Sequence, residues 1–63
     1  MTEEFRKDLA KQILEYRAKH NLSQVDFAKK CKISQQTAWN IENVKQVPSK
    51  LTLNKILSII SIN

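Results

Sequence analysis

The sequence predicts an all-α fold, a small bundle of four to five helices formed by a single domain over residues 1–63. The chain has no glycine and one proline, and it is rich in lysine, glutamine, leucine and isoleucine, which helices accommodate well. Apolar residues recur every three or four positions near both ends of the chain. Hydroxyl residues stand directly before the periodic segments, where they can cap helices. At 41% hydrophobic residues, the chain can form a small packed core.

The first predicted helix runs from about Glu3 to His20. Thr2 can cap its first turn, and the acidic residues that follow suit the positive end of the helix dipole. Asn21 comes after the last turn, and asparagine is well suited to a left-handed helix stop. One apolar stripe marks the buried face, with the residues Phe5, Leu9, Ile13 and Tyr16.

Two short helices follow, joined by a tight connection, and Gln24–Asn43 is predicted to be a helix-turn-helix. Ser23 caps a helix of roughly eight residues, because a second cap, Ser34, arrives soon after it. Lys32 and Ile33 form the turn. The expected shared core comprises Phe27, Ala28, Cys31, Ile33, Ala38 and Ile41, with Ala28 small enough to let the helices cross. The third helix then keeps an exposed amide-rich face, which the major groove of B-form DNA can admit.

A loop with Pro48 separates this unit from a fourth helix that begins near Ser49 or Lys50. The buried face of that helix is expected at Leu53, Ile56, Leu57 and Ile60. The apolar tail is expected to be partly exposed and to provide a dimer contact, through Ile59, Ile60 and Ile62.

The charge balance favours a nucleic-acid partner, although solubility alone can also explain it. Eleven basic and six acidic residues give a net charge of +5 and a pI near 9.7. Cys31 is the only cysteine and lacks the partners of a zinc site, so we expect a buried thiol, a reducing cytoplasm and no metal or cofactor. The N-terminus does not resemble a signal peptide, and no apolar run is long enough for a membrane span. An enzyme is disfavoured, because the lone His20 has no recognisable catalytic partner and the chain has no glycine-rich loop.

An ordered set of residues resembles a known family. The set is Leu22-Ser23-Gln24, Phe27-Ala28, Ile33-Ser34-Gln35-Gln36-Thr37, Ile41-Glu42-Asn43, Lys45, Pro48-Ser49 and Thr52-Leu53. With its unbroken spacing it is similar to the lambda-repressor-like, or Xre-type, helix-turn-helix family of phage repressors and Cro proteins. The resemblance covers about Leu9 to Ile60. It implies a bundle of five helices that binds DNA as a dimer and represses transcription.

The resemblance also implies roles for individual residues. Base reading would fall to Gln35 and Gln36, with Asn40 one turn later, because an amide can form a paired hydrogen bond with adenine. Phosphate contacts would come from Gln24, Asn43 and Lys45, and Ser34 and Thr37 would lie at the same interface. Glu42 and Arg17 would form a structural ion pair between the third and first helices. Without the resemblance, the two adjacent glutamines could equally be solvated helix residues.

Three positions leave alternatives open or depart from the family pattern. Trp39 could contact thymine methyls or sugars, or it could pack against a neighbouring helix, and packing is favoured because burial stabilises a tryptophan ring. Lys32 stands where the family commonly has glycine, so it must adopt a left-handed backbone conformation at some cost. Val44 also replaces a common glycine, and a β-branched residue rarely adopts positive φ. We therefore expect Asn43 to take the strained conformation, or the loop to leave its usual path.

The function expected on these grounds is a transcriptional regulator, most simply a repressor, that binds a palindromic DNA operator as a homodimer in a bacterial or phage-infected cell. The alternative is a protein-interaction module such as an antitoxin or an antirepressor-like regulator. The apolar tail favours the alternative, and the glutamine-rich third helix disfavours it. Because the chain stops where a fifth helix would begin, it is expected to be either a truncated DNA-binding domain or a minimal version of one.

Overall fold

A computed structural model describes residues 1–61 of the chain. Within this range the regular secondary structure consists of helices joined by turns and loops, with no strand. The four helices are α1 (Glu3–His20), α2 (Gln24–Cys31), α3 (Gln35–Glu42) and α4 (Lys50–Ile60). This confirms the predicted all-α fold. The helix boundaries follow the sequence expectation except that α3 ends one residue earlier, at Glu42.

Each helix begins at a hydroxyl cap, and this local chemistry explains why the boundaries were predictable. The side-chain oxygen of each capping residue accepts a hydrogen bond from the backbone N–H three residues later, which satisfies one of the unpaired donors of the first turn. The pairs are Thr2 with Phe5, Ser23 with Asp26, Ser34 with Thr37 and Ser49 with Thr52, at 3.0 to 3.2 Å.

The first three helices end in the same way, each with a non-glycine residue in the left-handed region. Asn21, Lys32 and Val44 have φ of 54°, 59° and 55°. In each case two backbone N–H groups after the helix donate to carbonyls of its last turn, which is the Schellman arrangement. The left-handed conformations expected at Asn21 and Lys32 are confirmed.

The expectation that Asn43 would take the strained conformation was wrong. Asn43 has φ −99° and ψ 9°, and Val44 is left-handed instead. The N–H of Asn43 still donates to Trp39 in the helical ladder, so the chain reverses one residue later. The guanidinium Nη2 of Arg6 on α1 donates to the Val44 carbonyl at 3.2 Å, which helps to hold the reversal in place. A long-range contact therefore helps to stabilise a conformation that Val44 would disfavour locally.

Replacing each of the three left-handed residues by glycine should change the stability of the protein by a different amount. Val44→Gly should raise the free energy of unfolding by about 0.5–1 kcal/mol, because the relief of steric strain exceeds the added entropy of the unfolded chain. In a domain of this size that is a rise of roughly 2–8 °C in Tm. Lys32→Gly should gain less, and Asn21→Gly, whose side chain tolerates this region, should gain least. Thermal unfolding followed by circular dichroism measures the order, and a loss of stability at Val44→Gly would contradict it.

All four helices contribute to one buried core. Its central residues are Leu9, Ile13, Phe27, Cys31, Ile41, Ile56 and Ile60, flanked by partly buried Tyr16, Leu22, Ile33, Leu53, Leu57 and Ile59. Ala28 and Ala38 are also buried, which agrees with the need for small residues between α2 and α3. The predicted scaffold is thus confirmed, with Ile33 at its edge. Phe5, expected on the buried stripe of α1, is 40% exposed because it lies near the start of that helix, beyond the core.

The expectation of a partly exposed C-terminal tail was wrong at Ile60. This residue is only 8% exposed and belongs to the central core cluster, because the last turn of α4 still packs against the other helices. Ile59 is half-buried and packs against the same cluster. Ile62 lies outside the described residues. The burial of Ile60 therefore weakens the argument from an exposed tail for a dimer contact or for a protein-interaction module.

The core also contains the one thiol. Cys31 is 2% exposed, and burial raises the pKa of its thiol to about 11, partly opposed by the charge of Lys30. We expect the native thiol to react with an aromatic disulfide reagent roughly a hundredfold or more slowly than the urea-unfolded chain. Between pH 9.0 and about 11 the unfolded thiol ionises first, so this group lowers stability as pH rises and contributes nothing below that window. Cys31→Ala should remove this component of the pH dependence, and rapid native labelling would contradict the buried position.

Candidate nucleic-acid interface

The start of α3 is fixed by a hydroxyl pair that leaves the following glutamines exposed. Ser34 Oγ accepts from the Thr37 N–H at 3.0 Å and donates to Thr37 Oγ1 at 2.7 Å. The first turn of the helix is thereby held at its cap. Gln35 and Gln36 stand in this turn, and both side chains are exposed. The structure therefore places the two glutamines together, at the end of α3 where unpaired backbone N–H groups face outward.

Beside these glutamines lies an open hollow between α2 and α3. It is lined by Gln24, Gln35, Gln36 and Trp39. Trp39 is 44% exposed, so the interpretation that its ring packs against a neighbouring helix was wrong. The buried positions of α3 are taken by Ala38 and Ile41, which leaves Trp39 on the outer face. The hollow thus combines three amide side chains with one aromatic wall.

Asn40 continues this outer face one turn after Gln36, as expected, and it connects two other amides. Asn40 Oδ1 accepts from Gln36 Nε2 at 2.9 Å, and Asn40 Nδ2 donates to Gln46 Oε1 at 2.9 Å. Gln46 was not among the residues predicted from the sequence to lie at this interface. Its position depends on the chain reversal at Val44, after which Lys45 N–H returns to the Asn40 carbonyl at 2.7 Å. The glycine that the family commonly has at the position of Val44 was the sequence signal for this reversal.

Two of the predicted phosphate contacts lie at and just beyond the far end of α3. Asn43 is exposed, and its Nδ2 donates to the Trp39 carbonyl at 2.8 Å, so this amide caps its own helix. Lys45, two residues later, is also exposed. Both side chains are therefore at the surface, but the amide of Asn43 is partly engaged within the protein.

An ion pair sets the orientation of α3 against α1. Arg17 Nη1 lies 2.7 Å from Glu42 Oε1, and Arg17 Nε donates to the Leu22 carbonyl at 3.3 Å. The Glu42 side chain is only 5% exposed, and its second oxygen is buried without a hydrogen-bond partner among residues 1–61. One guanidinium thus joins α1, the turn before α2 and the end of α3. The expected structural pair is confirmed.

The remaining lysines of the middle of the chain are exposed. Lys29 and Lys30 lie on α2, and Lys32 occupies the turn. Lys55 on α4 donates from Nζ to the Lys32 carbonyl at 3.3 Å, so this part of the surface is next to α4. Lys29, Lys30 and Lys32 therefore lie on a solvated, basic part of the surface.

A comparison with protein families agrees with this geometry, in which two capped helices are joined by a tight turn. The model of the Xre-type, lambda-repressor-like helix-turn-helix family matches residues 13–62. The chain belongs to this helix-turn-helix family. It is therefore a DNA-binding transcriptional regulator in general terms. No curated protein and no solved structure matches the chain significantly.

The family match begins at residue 13, within α1. Arg6 precedes the matched residues, and its guanidinium donates to the Val44 carbonyl, a contact that no pattern in the sequence predicted. None of the helices in residues 1–61 has the length and apolar character required to cross a membrane.

Proposed function

We propose that this helix-turn-helix protein is a sequence-specific repressor whose helix α3 enters the major groove of DNA. The observation that carries the proposal is the row of side chains on the outer face of α3, whose opposite face is buried. The row comprises the exposed Gln35, Gln36 and Trp39 and the half-buried Asn40. A rigid helix with an exposed amide row suits a groove whose base edges present hydrogen-bond donors and acceptors. The ion pair from Arg17 to Glu42 keeps that helix in a fixed orientation.

Within this interface the base contacts are assigned to amides and to the ring. Gln35 and Gln36 pair with adenine through an N–H and an oxygen, and Asn40 supports the contact one turn later. Trp39 stands beside them as an apolar wall and suits the methyl group of thymine, the partner base of adenine. The preferred DNA site should therefore be rich in A·T pairs at the positions under the first two turns of α3.

Phosphate contacts are assigned to the residues around this row. Gln24 begins α2, where backbone N–H groups and the helix dipole favour anions. Ser34 and Thr37 stand at the start of α3, and Asn43 and Lys45 at its end. Such contacts position the protein on the duplex without reading its sequence.

The whole chain is proposed to act as one DNA-binding domain that pairs with a second copy on a palindromic operator. Two α3 helices related by a twofold axis would enter successive major grooves about 34 Å apart. A dimer bound in this way blocks polymerase. The setting is the cytoplasm of a bacterium or of a phage-infected cell.

Selection of bound sequences from a random double-stranded DNA pool tests the proposal. The expected result is a palindromic, A·T-containing site bound at least about a thousandfold more tightly than random DNA at the same salt concentration. Equal affinity for all sequences would reject sequence-specific recognition. A specific but asymmetric site would retain base reading by α3 and reject the homodimer.

A further inference from the structure

Gln46 lies in the loop after α3, half-buried, and is hydrogen-bonded to the outer face of that helix. Its Oε1 accepts from Asn40 Nδ2 at 2.9 Å. Asn40 Oδ1 in turn accepts from Gln36 Nε2 at 2.9 Å. Three side-chain amides therefore form one hydrogen-bonded chain that ends at an exposed glutamine of the proposed base-reading row.

This chain has a direction, because each primary amide has a donor end and an acceptor end. Since Gln46 accepts, Asn40 points its nitrogen towards Gln46 and its oxygen towards Gln36. Gln36 donates one N–H to Asn40 Oδ1, and its oxygen and second N–H have no partner within residues 1–61. The free atoms form a donor and acceptor pair in a defined order.

The order of these atoms determines which base edge they match. Adenine presents an N6 donor and an N7 acceptor in the major groove, and guanine presents two acceptors. In the observed direction, Gln36 offers one acceptor and one donor, which suits adenine. If the amide turned over, its oxygen and nitrogen would exchange places, and its donor would face the donor of adenine.

Backbone hydrogen bonds bring the chain at Gln46 close to Asn40. Lys45 N–H donates to the Asn40 carbonyl at 2.7 Å, which brings the loop back onto α3 directly before Gln46. The left-handed Val44 makes this return possible, and Arg6 holds the Val44 carbonyl. The same chain reversal that ends α3 therefore places Gln46 beside Asn40.

We infer that Gln46 is a positioning residue that selects adenine as the base read by Gln36, acting through the amide of Asn40. This inference rests on the proposed function, in which α3 reads bases in the major groove. A side chain at position 46 that can only donate would reverse the direction of the chain. Asn40 would then turn its nitrogen to Gln36, and Gln36 would turn its oxygen away from the base.

Two substitutions separate this role from simple electrostatics. Gln46→Lys adds a positive charge but can only donate, and Gln46→Glu adds a negative charge but keeps the acceptor. On charge alone the lysine variant should bind all DNA more tightly and the glutamate variant less tightly. Discrimination is measured as the ratio of Kd for the selected site with its A·T pair replaced by G·C to Kd for the intact site.

The expected result is that Gln46→Lys lowers this ratio roughly fivefold or more although it binds DNA more tightly. Gln46→Glu should keep the ratio within about twofold although it binds more weakly. In a Gln36→Ala background, Gln46→Lys should leave the ratio unchanged, because no reading amide remains to be turned. Thermal unfolding of each variant shows that it is folded.

An unchanged ratio in Gln46→Lys would overturn the inference, as would equal losses in the lysine and glutamate variants. A further effect of Gln46→Lys in the Gln36→Ala background would also overturn it, since the effect would then bypass Gln36. Failure of the proposed function appears earlier, in the wild-type protein, as binding without any base preference.

Discussion

Arg17→Met should lower the free energy of unfolding by about 3–5 kcal/mol, because it leaves the carboxylate of Glu42 buried without its partner. The side chain of Glu42 is 5% exposed, and one of its oxygens already lacks a hydrogen bond among the described residues. The substitution also removes the donor to the Leu22 carbonyl. In a domain of this size such a loss approaches the whole stability, so urea unfolding should show a largely unfolded variant at 25 °C.

Two further variants make this expectation specific. Glu3→Gln removes the exposed pair between Glu3 and Lys7 on α1, whose atoms lie 3.7 Å apart, and should change stability by less than about 0.5 kcal/mol. Arg17→Met combined with Glu42→Met should recover most of the loss, because no buried charge then remains. If Arg17→Met were as mild as Glu3→Gln, the ion pair would not be what holds α3 against α1.

Gln36→Ala should reduce discrimination at one or two base pairs of the selected site by about fivefold to a hundredfold, which corresponds to the loss of a paired amide contact. Its affinity for random DNA should be nearly unchanged, because the side chain is exposed on α3 and carries no charge. Kd values measured for the intact site and its single-base-pair variants give the result directly.

Lys45→Ala should act differently from Gln36→Ala. It removes a charge proposed to contact phosphate, so it should weaken binding to all sequences alike and reduce the slope of log K against log salt by about 0.9. Lys29→Ala removes the same charge from the exposed face of α2 and should leave that slope unchanged. Identical behaviour of the glutamine and lysine variants would show that the base and phosphate roles are wrongly assigned.

Much of the fold was predictable because its signals are local. Ser23, Ser34 and Ser49 each bond to a backbone N–H three residues away, so a short stretch of sequence contains both partners. The same holds for the apolar spacing that buries Leu9 and Ile13 on one face of α1. The ion pair from Arg17 to Glu42 joins distant residues and was reached only through the resemblance to the family.

The candidate site was predictable in part for the same reason. Gln35 and Gln36 follow a recognisable cap, so their exposure at the start of α3 was expected. Trp39 was misjudged because the burial of a large ring depends on how far a neighbouring helix covers it, and 44% of this side chain stays exposed. Ile60 was misjudged in the opposite sense, because the end of α4 reaches the core.

The residue types of this chain alone establish four capped helices, their apolar faces and the amide row of α3, because each depends on contacts between near neighbours. The left-handed conformation at Val44 and the place of Gln46 beside Asn40 depend on a guanidinium contributed from 38 residues away and on the chain reversal that it supports. Such long-range contacts form only when the helices have packed. For that reason the direction of the amide chain, and with it the base that we propose Gln36 to read, became visible only in the folded protein.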